Sequence, residues 1–193
     1  MVKPGKLLFR FATKNDEQLV EQFCQSQNFS NNTSLKKMKW EWCLEVGAWT
    51  IALHEGKIVS IAGIHPLPEV DAHSYRCLFR GAQLPGYTLG VGRDILKTGI
   101  QLRYLLDYQI GWALEKDLDA NLYISTNINN DGGKSQRMNN VIMPLMEKRG
   151  IWELDRQIEL YNVPQNLWRI NLYNYMEERN RSLDNDNCTH QKS

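Results

Sequence analysis

The chain has 193 residues, with 23 Lys and Arg against 22 Asp and Glu, a formal net charge of +1 and a hydrophobic content of 42%. This is the composition of a soluble globular chain of one-domain length, and it excludes disordered, fibrous and collagen-like classes. The charge balance lacks the basic excess of a nucleic-acid binder and the acidic run of a solvating tail, and no apolar run reaches the roughly 18 residues that cross a membrane.

The N-terminus, Met1 to Gly5, is short and polar and lacks the apolar core and small-residue cleavage site of a secretion signal. Cys24, Cys43 and Cys77 sit in apolar surroundings, Cys188 lies near the end, and no CxxC pair occurs. The first three read as buried thiols of a reducing, cytoplasmic compartment. The four histidines, His54, His65, His73 and His190, show no ligand spacing beside them, so no metal site is expected.

In chain order, Leu7–Phe11 reads as a strand. Thr13, with Asp16 three residues on, starts a helix whose Leu19, Val20 and Phe23 recur at helical spacing. After the polar stretch Asn28–Ser34, Ser34 caps a second helix. Its stripe is Leu35, Met38, Trp42 and Val46, its outer face carries Lys36, Lys37 and Lys39, and Gly47 ends it. Trp42 and Trp49 fit core stripes, whereas Trp40 falls off the stripe and is read as half-buried or flanking a pocket.

Trp49, Ile51 and Leu53 then alternate with Thr50, Ala52 and His54, and Glu55-Gly56 turns the chain into the apolar run Lys57–Ile64, a hairpin that Pro66 and Pro68 stop. Tyr75–Ala82 is the fourth strand. Ile100–Lys116 is helical, with Leu105, Tyr108 and Trp112 on one face. Ala120–Thr126 is a strand, and Asn127–Gln136 a polar loop. Met138, Val141, Ile142 and Leu145 give a helical face ending at Gly150. Trp152–Leu160 alternates as a strand, and after Pro164 so do Trp168, Ile170 and Leu172, where a helix also remains open. The polar, aperiodic residues 179–193 read as a mobile tail behind a single domain, residues 1–178.

The order β-α-α-β-β-β-α-β-α-β-β predicts a mixed α/β fold with helices on both faces of one sheet. It resembles the GCN5-related N-acetyltransferase (GNAT) superfamily, from about Leu8 to Leu172. Two motifs add to the order. Asn139-x-x-Ile142-x-x-Leu145-Met146-Glu147-Lys148-Arg149-Gly150-Ile151 is similar to that family's late helix, N-x-x-A-x-x-L-Y-E-K-x-G-F. An amphipathic helix ending in basic residues and glycine accounts for the same letters. Lys97-Thr98-Gly99-Ile100-Gln101-Leu102 falls where the family has R/Q-x-x-G-x-G/A, with one glycine displaced and the second replaced by Leu102; a helix start capped by Thr98 is the plain alternative. Gly90-Val91-Gly92-Arg93 is another glycine-bearing candidate, or a surface loop.

The resemblance implies acetyl-CoA, or another acyl-CoA, as co-substrate. Its pyrophosphate would lie on the helix start formed by Lys97, Thr98, Gly99, Ile100 and Gln101, where unpaired N–H groups and the helix dipole favour an anion. Its pantetheine would pair with the fourth strand near Gly81, Ala82 and Gln83, in the gap between splayed fourth and fifth strands; Gly81-Ala82 equally reads as a plain strand end. Asn139 would point at the CoA arm. The family's proton-donating tyrosine is replaced by Met146, which cannot donate. Tyr123, Tyr108 or a water could act instead, the thiolate could leave unassisted, or the protein binds without transferring. His65 and His73 bracket Glu69 and Asp71, and His65 is the candidate base.

The implied function is N-acyl transfer to a small-molecule or protein amine, with no nucleic acid and no membrane. A non-catalytic binding protein on the same scaffold is the rival, because fold does not fix function. A homo-oligomeric component, for example a homodimer pairing through Trp168–Tyr175, is a third reading.

Overall fold

The computed structural model describes residues 8–26, 40–81, 100–128, 138–160 and 162–190. These contain seven strands and five α-helices, in the predicted order with one helix added at the C-terminal end. The chain divides after Ala120 into two compact units. No described helix is long and apolar enough to cross a membrane.

The first unit is an antiparallel meander of β1 (Leu8–Phe11), β2 (Ala48–His54), β3 (Lys57–Pro66) and β4 (Ser74–Gly81). Its helices are α1 (Glu17–Ser26), α2 (Trp40–Val46) and α3 (Ile100–Lys116). Every residue of β2 and most of β3 are buried, which explains their nearly continuous apolar sequence: helices cover both faces. Side chains of opposite parity on β2 go to different partners. Trp49, Ile51 and Leu53 join Val20 and Phe23 of α1 and Trp40 and Cys43 of α2 in one cluster. Phe11 and Thr50 share the other parity by register, and there Phe11 meets Tyr108 of α3 edge to face, with ring centroids 5.1 Å apart. Ile51, Ile61 and Ile64 are fully enclosed, and each contributes about 1.5–3 kcal/mol through burial. The predicted Glu55-Gly56 hairpin turn is present, with φ of 50° and 76° at its two residues.

Close approach decides two details here. A Cβ on Gly63 would lie 2.6 Å from the Trp49 ring, its cross-strand neighbour, so a glycine lets that indole lie flat on the sheet. The predicted start at Thr13 is built around Asp16, whose carboxylate accepts the Thr13 N–H at 2.8 Å and the Thr13 hydroxyl at 3.0 Å. Arg10 closes on both Asp16 oxygens at 2.7 and 2.6 Å, and these bonds hold the buried carboxyl well below the usual carboxylate range.

The second helix corrects the sequence reading. Trp40 is buried at 6% exposure and Trp42 stands out at 47%. The indole N–H of Trp40 donates to the Thr13 carbonyl at 3.0 Å, a bond that turns Trp40 and Cys43 inward and carries Trp42 to the outside.

In the second unit β5 (Asn121–Asn127), β6 (Trp152–Leu160) and β7 (Val163–Ile170) form an antiparallel set with β7 in the middle. β7 begins before Pro164 and runs to Ile170, and Leu172 starts a helix, so the stretch that the sequence left open between strand and helix holds both. Proline is tolerated at this second strand position, and its carbonyl still accepts the Ile128 N–H at 3.0 Å. Both edges of β7 are paired, so its backbone has no open edge for a second copy. Helix α5 (Leu172–His190) then runs through residues that composition reads as a tail.

The late helix is also re-phased. A π-helical turn, Met138–Ile142, precedes α4 (Met143–Lys148). Pro144 supplies no N–H to the Asn140 carbonyl and crowds it, so the ladder widens just upstream. The wider turn brings Met143 into the core at 1% exposure and leaves the predicted core residue Val141 at 50%.

Candidate functional site

β4 ends at Gly81, paired with the buried Ser60 of β3, and α3 opens at Ile100 with Gln101 in its first turn. Among the described residues, no carbonyl one turn earlier within the helix faces the N–H groups of that first turn. Ala82, Gln83, Lys97, Thr98 and Gly99 lie outside the described residues.

One side chain fixes α3 on these strands. Gln109, 3% exposed, donates from Nε2 to the Gly63 carbonyl at 2.6 Å and to the Leu78 carbonyl at 3.1 Å. Gly63 and Leu78 face each other across β3 and β4, so a single carboxamide pins the helix at one register position of both strands. Sequence reasoning missed it. Its signal is position: Gln109 stands four residues after Leu105 and four before Ala113, both fully buried, so a polar group there needs internal partners.

The candidate base His65 lies within β3, opposite Arg76 of β4. Its Nδ1 is 2.8 Å from the Pro66 carbonyl, and since a carbonyl only accepts, Nδ1 carries the proton. Nε2 is left with a bare lone pair, enclosed and without a hydrogen-bond partner. Burial lowers the His65 pKa first; the Pro66 carbonyl raises it, Arg76 lowers it and Glu69 raises it. The imidazole is therefore neutral near pH 7, with base chemistry but no open path to a substrate. His73 is different. It is exposed, 2.7 Å from Asp117, and that bond raises its pKa. Asp71 accepts the His73 N–H at 2.9 Å and the Ser74 hydroxyl at 2.8 Å, which is turn chemistry.

The candidate proton donors differ, Tyr123 being buried and Tyr108 half-buried with its hydroxyl engaged. Tyr123 is buried on β5 at 2% exposure, and the Tyr108 hydroxyl donates to the Phe9 carbonyl at 3.2 Å. Met146 sits near the end of α4, where its carbonyl accepts the Ile151 N–H at 3.0 Å while Glu147 accepts the Gly150 N–H at 2.8 Å. These are the two bonds of a Schellman stop, and Gly150 takes the left-handed φ of 69° that it requires. The Met-Glu-Lys-Arg-Gly-Ile motif is thus a formed helix end.

Asn139, proposed for the CoA arm, is the hub of a polar network in the second unit. Its Oδ1 accepts the Thr126 hydroxyl at 2.5 Å and Asn166 Nδ2 at 3.1 Å, and its Nδ2 donates to the Asn127 carbonyl at 2.7 Å. Trp168 Nε1 donates to Thr126 Oγ1 at 2.9 Å, and Gln157 Nε2 to Asn166 Oδ1 at 3.0 Å. The carboxamide therefore ties the π-helical turn to β5 and β7. Asn166 and Gln157 carried no sequence signal, because the partners are brought together by strand pairing.

Among the described residues no three His, Cys, Asp or Glu side chains gather as a metal site. Cys24, Cys43 and Cys77 are buried and outside any disulfide, and burial pushes the Cys77 thiol up to about 12, so it is unreactive at neutral pH.

No family model matches the chain, and no curated protein sequence matches it. Solved structures do. An acetyltransferase of the GNAT family from Streptococcus pneumoniae is 16% identical, with 86% of this chain and 99% of that chain covered at a TM-score of 0.53. A ribosomal-protein-alanine N-acetyltransferase from Brucella melitensis is 17% identical, over 84% and 98% of the two chains, at 0.53. A ribosomal-protein-S5-alanine acetyltransferase from Vibrio fischeri is 11% identical, over 88% and 95%, at 0.56. At such identities the likeness is one of fold. The chain has the fold of the GNAT acetyltransferases.

Proposed function

We propose that the chain is an acyl-CoA-dependent N-acyltransferase, a divergent GNAT member that uses acetyl-CoA and an amine and works in the cytoplasm. The observation that carries this reading is the pairing of a strand ending at Gly81 with a helix opening at Ile100, the second locked to the first strand's register by Gln109. The formed motif helix, with its stop at Gly150, supports it. In this reading the first-turn N–H groups of α3, with Lys97, hold the pyrophosphate, and a backbone N–H near Gly81 polarises the thioester carbonyl.

Acetyl-CoA supplies an activated acyl group whose leaving thiolate is stable near neutrality. The amine attacks the carbonyl carbon, the C–N bond forms as the C–S bond breaks, and the amine proton passes to water. Proximity and carbonyl polarisation supply most of the acceleration, so a chain with Met146 in the tyrosine position retains a route. The acceptor is a small-molecule or protein amine.

The enclosed Nε2 of His65, the engaged hydroxyl of Tyr108 and the burial of Tyr123 favour a second reading, a non-catalytic acyl-CoA-binding protein on this scaffold. Calorimetry with acetyl-CoA on wild type and Lys97→Glu, followed by thiol release with a panel of amines, tests both. Micromolar binding weakened by the variant, with amine-dependent thiol release, supports the transferase. Binding without release selects the second reading. Absence of binding at high micromolar acetyl-CoA ends both.

A further inference from the structure

The far end of α3 carries a cleft of about 380 Å³, formed wholly by the first unit. Its walls are Phe11 and Ala12 at the end of β1, Leu44, Gly47 and Ala48 at the junction of α2 and β2, and Trp112 of α3. Glu115 and Lys14 stand on its lining. Ile100 and Glu115 are about 22 Å apart along the helix at 1.5 Å per residue, so this cleft is remote from the proposed acetyl-CoA site and does not rest on it.

We propose that this cleft is a binding site for a small organic ammonium ion. Three observations carry the inference. First, its aromatic walls are set before a ligand arrives. Phe11 is held edge to face by Tyr108 at 5.1 Å and Trp112 by Tyr75 at 6.0 Å, yet Phe11 remains 44% exposed. Ring faces of fixed orientation attract a cation through their quadrupole.

Second, the carboxylate of Glu115 has no ion pair or hydrogen bond with any described residue. Third, the cleft's lysine is already neutralised. Lys14 Nζ lies 2.7 Å from Glu41, and Glu41 and Glu45 both raise its pKa. Of the two charges on the lining, Lys14 is paired by Glu41 and the Glu115 carboxylate is left over. An anionic ligand would meet excess negative charge, and a neutral one would leave Glu115 unused. An alkylammonium ion satisfies the rings and the carboxylate together.

The test is a titration with tetramethylammonium chloride, followed by the Trp112 indole N–H resonance, which Trp112→Phe assigns. Sodium chloride at equal ionic strength is the baseline, and neopentyl alcohol is the neutral probe of the same shape. The expected result is a saturable millimolar shift with tetramethylammonium, none with neopentyl alcohol, and affinity weakened about fivefold by Glu115→Gln, an exposed change that leaves the fold intact. Phe11→Leu should weaken it as well. No saturable shift, an equal response to neopentyl alcohol, or unchanged affinity in Glu115→Gln would overturn the site.

Discussion

Two carboxamides organise the two units of this chain, and they do so differently. Gln109 works alone, from the middle of a helix, on two backbone carbonyls of adjacent strands. Asn139 works in company, at a π-helical turn, sharing Thr126, Asn166, Trp168 and Gln157 in a branched network. Gln109 is almost fully enclosed, whereas Asn139 and Asn166 are only partly buried. A lone buried donor has no substitute when removed, because water cannot reach the carbonyls it leaves. A branched, partly open network can re-pair or hydrate.

The largest effect should therefore follow Gln109→Leu. It keeps the volume and takes one buried hydrogen bond from each of the Gly63 and Leu78 carbonyls, and urea unfolding should show a loss of about 2–3 kcal/mol. Asn139→Ala should cost less, about 1–2 kcal/mol, and its loss should be non-additive with Thr126→Val in a double-mutant cycle. Equal losses for the two single variants would erase the contrast between lone and branched anchors.

Gly150→Ala sharpens the comparison on the second unit. A Cβ there would lie 2.9 Å from Asn174 Nδ2, on a residue with φ of 69°, and Asn174 Nδ2 also donates to the Gly150 carbonyl at 2.8 Å. A loss of about 1–2 kcal/mol is expected from the left-handed backbone. Gly150→Asn should cost less, since asparagine tolerates that region better.

The smallest effect concerns the exposed His73–Asp117 pair. Its raised folded pKa means that its contribution is complete below the unfolded value of about 6.5 and fades as pH rises through the folded value. The stability advantage of wild type over His73→Gln should shrink from pH 6 to pH 8. An advantage that grows over that range would reverse the assignment.

Much of the fold was legible because local and tertiary signals agreed. Glu55-Gly56 joined two apolar runs and is the observed turn. Ile100–Lys116 is the observed helix, and Thr13 with Asp16 is the observed start. The misreadings fall where a distant partner overrode the pattern. Trp40 went inward because the Thr13 carbonyl, 27 residues away, accepts its N–H. Val141 went outward because Pro144 opens a π turn that shifts the phase. Around the candidate site, Gly81 closes β4 and Ile100 opens α3, while Gln109 carried only the signal of a polar residue in apolar surroundings and the Asn166 branch carried none.

The proposed function rests on an acyl-CoA site at the start of α3. Backbone amide shifts of Gly81, Ile100 and Gln101 during titration with acetyl-CoA test it most directly. Saturable shifts are expected at all three, larger than those at Asn139 and at Glu115. Binding that leaves these amides unmoved, or no binding, would contradict it.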